Sequence, residues 1–208
     1  MGYESWHLQD FRGKRVAVVG LGVSGISAFE LLDRLGSELI GVNQGEREQW
    51  LARLENQLKI DWSRGPEFYA QDDPRAREEL EACDLIVLSP GIPREVELLQ
   101  GAHENRVPVI SEIELGSLFL EEEQVIAVTG TNGKTTIVSL ISHLFKELHV
   151  PHFLGGNVGT PLCQYIKTKL DGERPRDVVV LELSSFQLES TWHLRPFRSV
   201  ITNISENH

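Results

Sequence analysis

The chain has 208 residues, 40% of them hydrophobic, which suffices for the core of one or two globular domains. Its formal net charge of -11 speaks against a nucleic-acid-binding surface. No apolar run reaches the roughly 18 residues of a membrane-spanning helix, and Met1–Asp10 lacks the basic and apolar regions of a secretion signal.

The first strong element is the apolar run Arg15–Val19, read as a buried strand. Gly20-Leu-Gly-Val-Ser-Gly25 follows it. Residues 26–35 then carry apolar side chains at helical spacing and stop at Gly36, a plausible C-cap. Strand, GxGxxG and helix in that order open a Rossmann-like unit. A dinucleotide site wants an acidic residue about 20 positions on, for the ribose hydroxyls. The next strand, 39–42, ends instead at Asn43, which can hydrogen-bond a base or sugar but lacks the carboxylate. NAD or FAD binding and a purely structural use of the glycines remain the alternatives at this point.

Residues 46–58 read as a charged helix and 61–73 as irregular, with Gly65-Pro66 marking a turn. Residues 74–83 form a helix opened by Pro74. Strand 84–88 ends in Ser89-Pro-Gly-Ile-Pro93, at the strand end where α/β sheets place ligands. A helix over 95–105, a strand over 107–110 and a helix over 111–120 follow. Ser111 with Glu114 three residues later is a capping-box pattern. Strands alternating with helices imply parallel pairing. The polar stretch 121–124 is the best boundary, giving domains 1–122 and 123–208. Cys83 and Cys163 lack metal-ligand spacing and read as buried free thiols, as expected in a reducing cytoplasm.

Val125-Ile-Ala-Val128 reads as a buried strand, Gly130-Thr-Asn-Gly133 as a tight turn, and Lys134-Thr-Thr136 as the start of a helix running through 137–148. The loop N–H groups and helix N-terminus would face one point, where anionic oxygens can sit. Lys134 adds a positive charge and Thr135 a hydroxyl able to ligate Mg²⁺. The Walker pattern itself fails, because Val128 stands where it places its first glycine. Residues 149–153 suggest a strand and Gly155–Gly159 a second glycine cluster, in which Asn157 can donate to phosphate or sugar. Strand 177–183 contains Glu182, costly to bury unpaired; a divalent cation and a structural ion pair are both candidate partners. Ser184–Leu188 reads as a polar strand end carrying Gln187. A last strand, 199–204, leads to His208.

Taken together, Thr129-Gly-Thr-Asn-Gly-Lys-Thr-Thr136, Gly155-Gly-Asn-Val-Gly159, Leu183-Ser-Ser-Phe-Gln-Leu-Glu189 and Ile201-Thr-Asn-Ile-Ser-Glu-Asn-His208 resemble the Mur ligases. These are ATP-dependent amide-forming enzymes of peptidoglycan precursor synthesis. With Gly20–Gly25 and Ser89–Gly91, the chain looks most like the branch that joins D-glutamate to UDP-N-acetylmuramoyl-L-alanine through an acyl phosphate. The resemblance implies an α/β architecture: a Rossmann-like parallel-sheet N-terminal domain, then an incomplete P-loop-type central domain. It implies that Gly130, Thr131, Asn132, Gly133, Lys134, Thr135 and Thr136 hold ATP, with Lys134 on the terminal phosphates. Thr135, Glu182 and His208 would serve two Mg²⁺ ions, and Lys134, Glu182 and His208 would form the catalytic set. Val23, Ser24 and Asn43 fall at uracil positions, Ser89 and Gly91 at the diphosphate, Asn157 and Gln187 at the muramoyl part. Where the family commonly has aspartate followed by Thr and Arg, this chain has Asn43-Gln44-Gly45. The rivals are another Mur ligase, a folylpolyglutamate synthase-like ligase and an NAD-dependent oxidoreductase. The expectation is a cytoplasmic monomer, without membrane insertion or nucleic-acid binding. Because the chain stops at a motif, it is expected to lack ligase turnover by itself.

Overall fold

The computed structural model describes residues 6–205. The first sheet is built from β1 (Arg15–Val19), β2 (Glu38–Asn43), β3 (Glu67–Ala70), β4 (Leu85–Leu88) and β5 (Val109–Ser111). It is parallel throughout, in the order β3-β2-β1-β4-β5. The chain winds outward from β1 in both directions, so the crevice at the carboxyl ends of β1 and β4 is a topological switch point. The second sheet holds β6 (Gln124–Thr129), β7 (His152–Gly156), β8 (Val178–Glu182) and β9 (Arg198–Ile201). It too is parallel, in the order β7-β8-β6-β9.

The helices are α1 (Val23–Leu35), α2 (Arg47–Gln57), α3 (Pro74–Glu81), α4 (Gln100–Glu104), α5 (Glu112–Ser117), α6 (Lys134–Glu147), α7 (Leu162–Leu170) and α8 (Ser185–Glu189). Strand alternation sorts them into layers. Val16 and Val18 of β1 and Leu85 and Val87 of β4 face inward, onto Phe29 and Leu32 of α1 and Leu115 of α5. Ala17, Val19, Ile86 and Leu88 face the other way, under Leu80 of α3 and Ala102 of α4. In the second sheet Val179 and Leu181 face α7, through Leu162 and Ile166, and join the same core as α1 and α5. Val178 and Val180 face α6, through Val138. One apolar helical layer is therefore shared between the two sheets.

Polar groups lock that layer. Ser111 at the N-terminus of α5 accepts from the Glu114 N–H, as a capping box requires, at 3.1 Å. The reciprocal half of the box is absent. The Glu114 carboxylate accepts instead from the backbone N–H groups of Trp192 (2.9 Å) and His193 (2.9 and 3.0 Å). Ser111 Oγ donates to the Ser190 carbonyl at 3.1 Å. Glu112 Oε1 accepts from the Cys163 N–H at 2.6 Å, in the first turn of α7. Ser111 at the cap of α5, with Glu112 and Glu114 in its first turn, thus binds segments of the second sheet's unit, and an N-terminal turn read as self-capped is a clasp.

Other expectations shift. Residues 67–70, read as irregular, form edge strand β3; its buried Phe68 packs in front of Gly41, where any Cβ would lie 2.6 Å from the ring. One buried residue in four is too short a pattern to show period two. The helix expected over 95–105 is a 3-10 turn, Glu97–Leu99, followed by α4. The strand expected at 149–153 starts only after Pro151. Ser184–Leu188 is no strand end: α8 begins at Ser185, and Ser184 forms a full capping box with Gln187. Cys83 and Cys163 are buried and free. Among the described residues, no helix is long and apolar enough to cross a membrane.

Burial pushes the Glu112 carboxyl up to about 7, and its Oε2 has no hydrogen-bond partner. A raised folded-state value means that the native state binds the proton more tightly than the unfolded chain does. The stabilising contribution is thus complete below the unfolded value and is lost as pH rises toward 7. Urea unfolding should show wild type losing on the order of 2–3 kcal/mol relative to Glu112→Gln between pH 4.5 and 7.5. A pH-independent difference would contradict this.

Candidate functional site

Residues that follow β4 of the first sheet and β8 of the second line one cleft. In the first, Gly20 to Gly22 turn β1 into α1. A Cβ on Gly25 would sit 1.8 Å from the Gly20 carbonyl oxygen, so this glycine is required for helix and strand to meet. Asn43 Oδ1 accepts from the Leu21 N–H at 3.0 Å and ties the loop to the end of β2. Ser89 Oγ donates to the Gly20 carbonyl at 2.5 Å and ties it to β4. The first turn of α1 has neither a side-chain cap nor an acidic residue. Val23 is exposed there, with Ser24 beside it, half-buried.

In the second sheet, Gly130 follows β6 at φ +129°, and a Cβ there would lie 2.2 Å from Thr202 Oγ1. The loop is braced by the segment after β9. The Thr131 N–H donates to the Asn203 carbonyl at 3.1 Å and the Asn132 N–H to Asn203 Oδ1 at 3.0 Å. Thr202 Oγ1 donates to the Asn132 carbonyl at 2.6 Å. Those two loop N–H groups, expected to face an anion, are therefore engaged by Asn203. The first turn of α6 behind Gly133 again has no side-chain cap and no acidic residue, and Thr136 is exposed there. Lys134 Nζ folds over the loop, donating to the carbonyls of Gly130 (2.6 Å) and Thr131 (3.0 Å).

Glu182 ends β8 opposite Val128 of β6. It shares the parity of Val178 and Val180, so its side chain faces α6. The residue is 1% exposed. Its oxygens accept from Thr135 Oγ1 at 2.7 Å and Asn157 Nδ2 at 3.0 Å. Both donors are neutral, and among the described residues no basic side chain pairs with it. Of the two partners open from sequence, the ion pair is not formed. A buried carboxylate beside a hydroxyl, with no counter-charge, suits a hard cation that takes oxygen ligands. The described residues hold no cluster of three or more His, Cys, Asp or Glu fit for a metal, so this donor set is partial. His208 lies outside the described residues.

A cleft runs between the two sheet ends, lined by Ser89, Gly91, Arg94, Ser111, Phe186 and Gln187. Gln187 is 2% exposed; its Oε1 accepts from the Ser184 N–H at 2.9 Å, while its buried Nε2 has no partner. A buried donor left without a partner is uncommon in a folded protein. Sequence reading missed Arg94 and the Asn203 brace. A lone arginine in a turn has no pattern, and the brace depends on β9 pairing with β6.

Fold and site together define a two-sheet, all-parallel α/β protein with a Rossmann-like first sheet and a phosphate-loop-type second sheet. Family models match both: "Mur ligase MurD-like, N-terminal domain" over residues 14–111 and "Mur ligase middle domain" over residues 128–208. The chain belongs to the Mur ligase family. A relative from Desulfatibacillum aliphaticivorans, named UDP-N-acetylmuramoylalanine--D-glutamate ligase, is 38% identical over 201 residues. That match covers 96% of this chain and 42% of the relative. One of the same name from Lawsonia intracellularis is 40% identical over 196 residues, covering 93% of this chain and 41% of its own length. The chain thus spans about two fifths of the length of the curated relatives it matches. Among solved structures, UDP-N-acetylmuramate:L-alanyl-gamma-D-glutamyl-meso-diaminopimelate ligase from Neisseria meningitides shares the fold at TM-score 0.55 and 19% identity. The likeness covers 94% of this chain and 62% of that one.

Gly130→Ala combines an unfavourable φ with a clash against the Thr202 brace. It should destabilise the chain by about 2 kcal/mol or more in urea unfolding. A variant as stable as wild type would mean that the loop is not held as described.

Proposed function

We propose that the whole protein is a cytoplasmic, monomeric, ATP-dependent ligase that adds D-glutamate to UDP-N-acetylmuramoyl-L-alanine. The observation that carries this reading is Glu182, buried without counter-charge and held by Thr135 one residue from Lys134. The relatives' shared name supplies the substrates. Residues 1–122 act as the UDP-substrate domain and 123–208 as the first part of the ATP domain.

A carboxylate is a poor acyl donor. Transfer of the terminal phosphoryl group of ATP to it creates an acyl phosphate that the amine of D-glutamate can attack. The protein's task is to align crowded anionic oxygens and offset their charge. Gly130, Thr131, Asn132, Gly133, Lys134, Thr135 and Thr136 are assigned to the ATP phosphates. On binding, Lys134 exchanges two neutral carbonyl acceptors for charged phosphate oxygens, a stronger pairing. Thr135, Glu182 and His208 are assigned to two Mg²⁺ ions, which when bound offset phosphate charge. Thr135 and Asn157 hold the Glu182 carboxylate in place meanwhile. Val23, Ser24 and Asn43 are assigned to the uracil end, Ser89 and Gly91 to the diphosphate, Asn157 and Gln187 to the muramoyl part. Asn43 keeps its Oδ1 on Leu21, which leaves its amide N–H groups as donors toward a ligand.

Calorimetry on this chain with UDP-N-acetylmuramoyl-L-alanine, ATP–Mg²⁺ and NADH tests the reading. The first two should bind saturably and NADH should not. Lys134→Ala should weaken ATP about 10- to 100-fold, the value of a charge-assisted hydrogen bond, and leave the UDP-sugar unchanged. NADH binding without UDP-sugar binding would overturn the proposal.

A further inference from the structure

Arg94 is a cation that the assignments above leave unused. It lies on the turn after β4, at the wall of the cleft that also holds Ser89, Gly91 and Gln187. Arg15, Arg34, Arg64, Arg75, Arg77 and Arg176 each face a carboxylate within ion-pair distance. Among the described residues Arg94, like Arg47 and Arg195, forms no ion pair, although Glu95 and Glu189 line the same cleft. Its guanidinium instead lies over the Trp192 ring, 4.7 Å from the centroid, with one long 3.5 Å bond to the Glu189 carbonyl. Its backbone is fixed separately, by a 2.8 Å hydrogen bond between its carbonyl and His103 Nε2.

Stacking on an aromatic face holds a guanidinium plane while leaving most of its in-plane N–H donors open. Those donors form a fork that matches two oxygens of a phosphate group. In a chain with net charge -11, an anionic ligand needs a local cation to approach. Ser89 and Gly91 supply only neutral groups.

We propose that Arg94 is a substrate-binding residue that contacts the diphosphate of the nucleotide sugar, held in place by Trp192. This rests on the UDP-sugar reading given above. Its place beside Gln187 puts it on the sugar side of the diphosphate, away from the uracil end at Asn43. It should therefore discriminate diphosphates from monophosphates.

The test is calorimetry on this chain with UDP and with UMP, in wild type, Arg94→Ala, Arg94→Lys and Trp192→Ala. Arg94→Ala should weaken UDP about 10-fold or more and UMP less than about 3-fold. Arg94→Lys should recover part of the loss, and the salt dependence of UDP binding should flatten in Arg94→Ala. Trp192→Ala, which keeps the charge, should weaken UDP less than Arg94→Ala does. UDP affinity unchanged in Arg94→Ala would overturn the inference and leave the UDP-sugar reading intact. Equal losses of UDP and UMP in Arg94→Ala and Trp192→Ala alike would also overturn it, since they would mark Arg94 as a strap between the sheets. Wild type that binds neither nucleotide would sink both the inference and the reading beneath it.

Discussion

The carboxylate of Glu182 has left water without gaining a counter-charge from the described residues. Such a group is expensive in a fold whose other buried positions at that strand are valines and leucine. The strand could bury an apolar residue there at no such cost. The surroundings are arranged around the exception. Parity turns the side chain toward α6, the loop after β6 brings Thr135 to one oxygen, and the glycine cluster after β7 brings Asn157 to the other. Both of these donors are neutral, so they hold the group without supplying a counter-charge.

A second constraint sets where that site points. Ser111, Glu112 and Glu114 each bond a segment of the other sheet's unit, so the shared helical layer is joined by directional contacts as well as by apolar packing. Apolar faces alone can slide, whereas hydrogen bonds to buried carboxylates fix register. Two of the anchored residues, Ser190 and Trp192, directly follow α8, which carries Gln187. The clasp therefore positions one wall of the cleft against the other, which carries Ser89 and Gly91.

Much of this was legible in the sequence. Sequence patterns marked eight of the nine strands among the described residues, and glycines marked the turn that follows the first strand of each sheet. The losses have physical causes. β3 hides because Phe68 is the one buried side chain in a four-residue edge strand. α8 hides because Ser184 and Gln187 cap it with polar groups that also suit a strand end. The Ser111–Glu114 spacing matched a capping box while the glutamate bonded residues far along the chain, a choice that local spacing cannot reveal. The order strand, tight turn and helix over β6 and α6 was read from the sequence and is found, but the engagement of the turn's first N–H groups by Asn203 depends on sheet order. Glu182 was flagged as anomalous, and only its geometry decided against an ion pair.

The central claim is that Glu182 and the α6 loop form one cation-and-phosphate site. Titration of this chain with Mn²⁺ in place of Mg²⁺, followed by electron paramagnetic resonance with and without ATP, tests it most directly. The account predicts an ATP-dependent Mn²⁺ site that disappears in Glu182→Gln while circular dichroism shows the fold retained. Identical Mn²⁺ binding in the two proteins would contradict it.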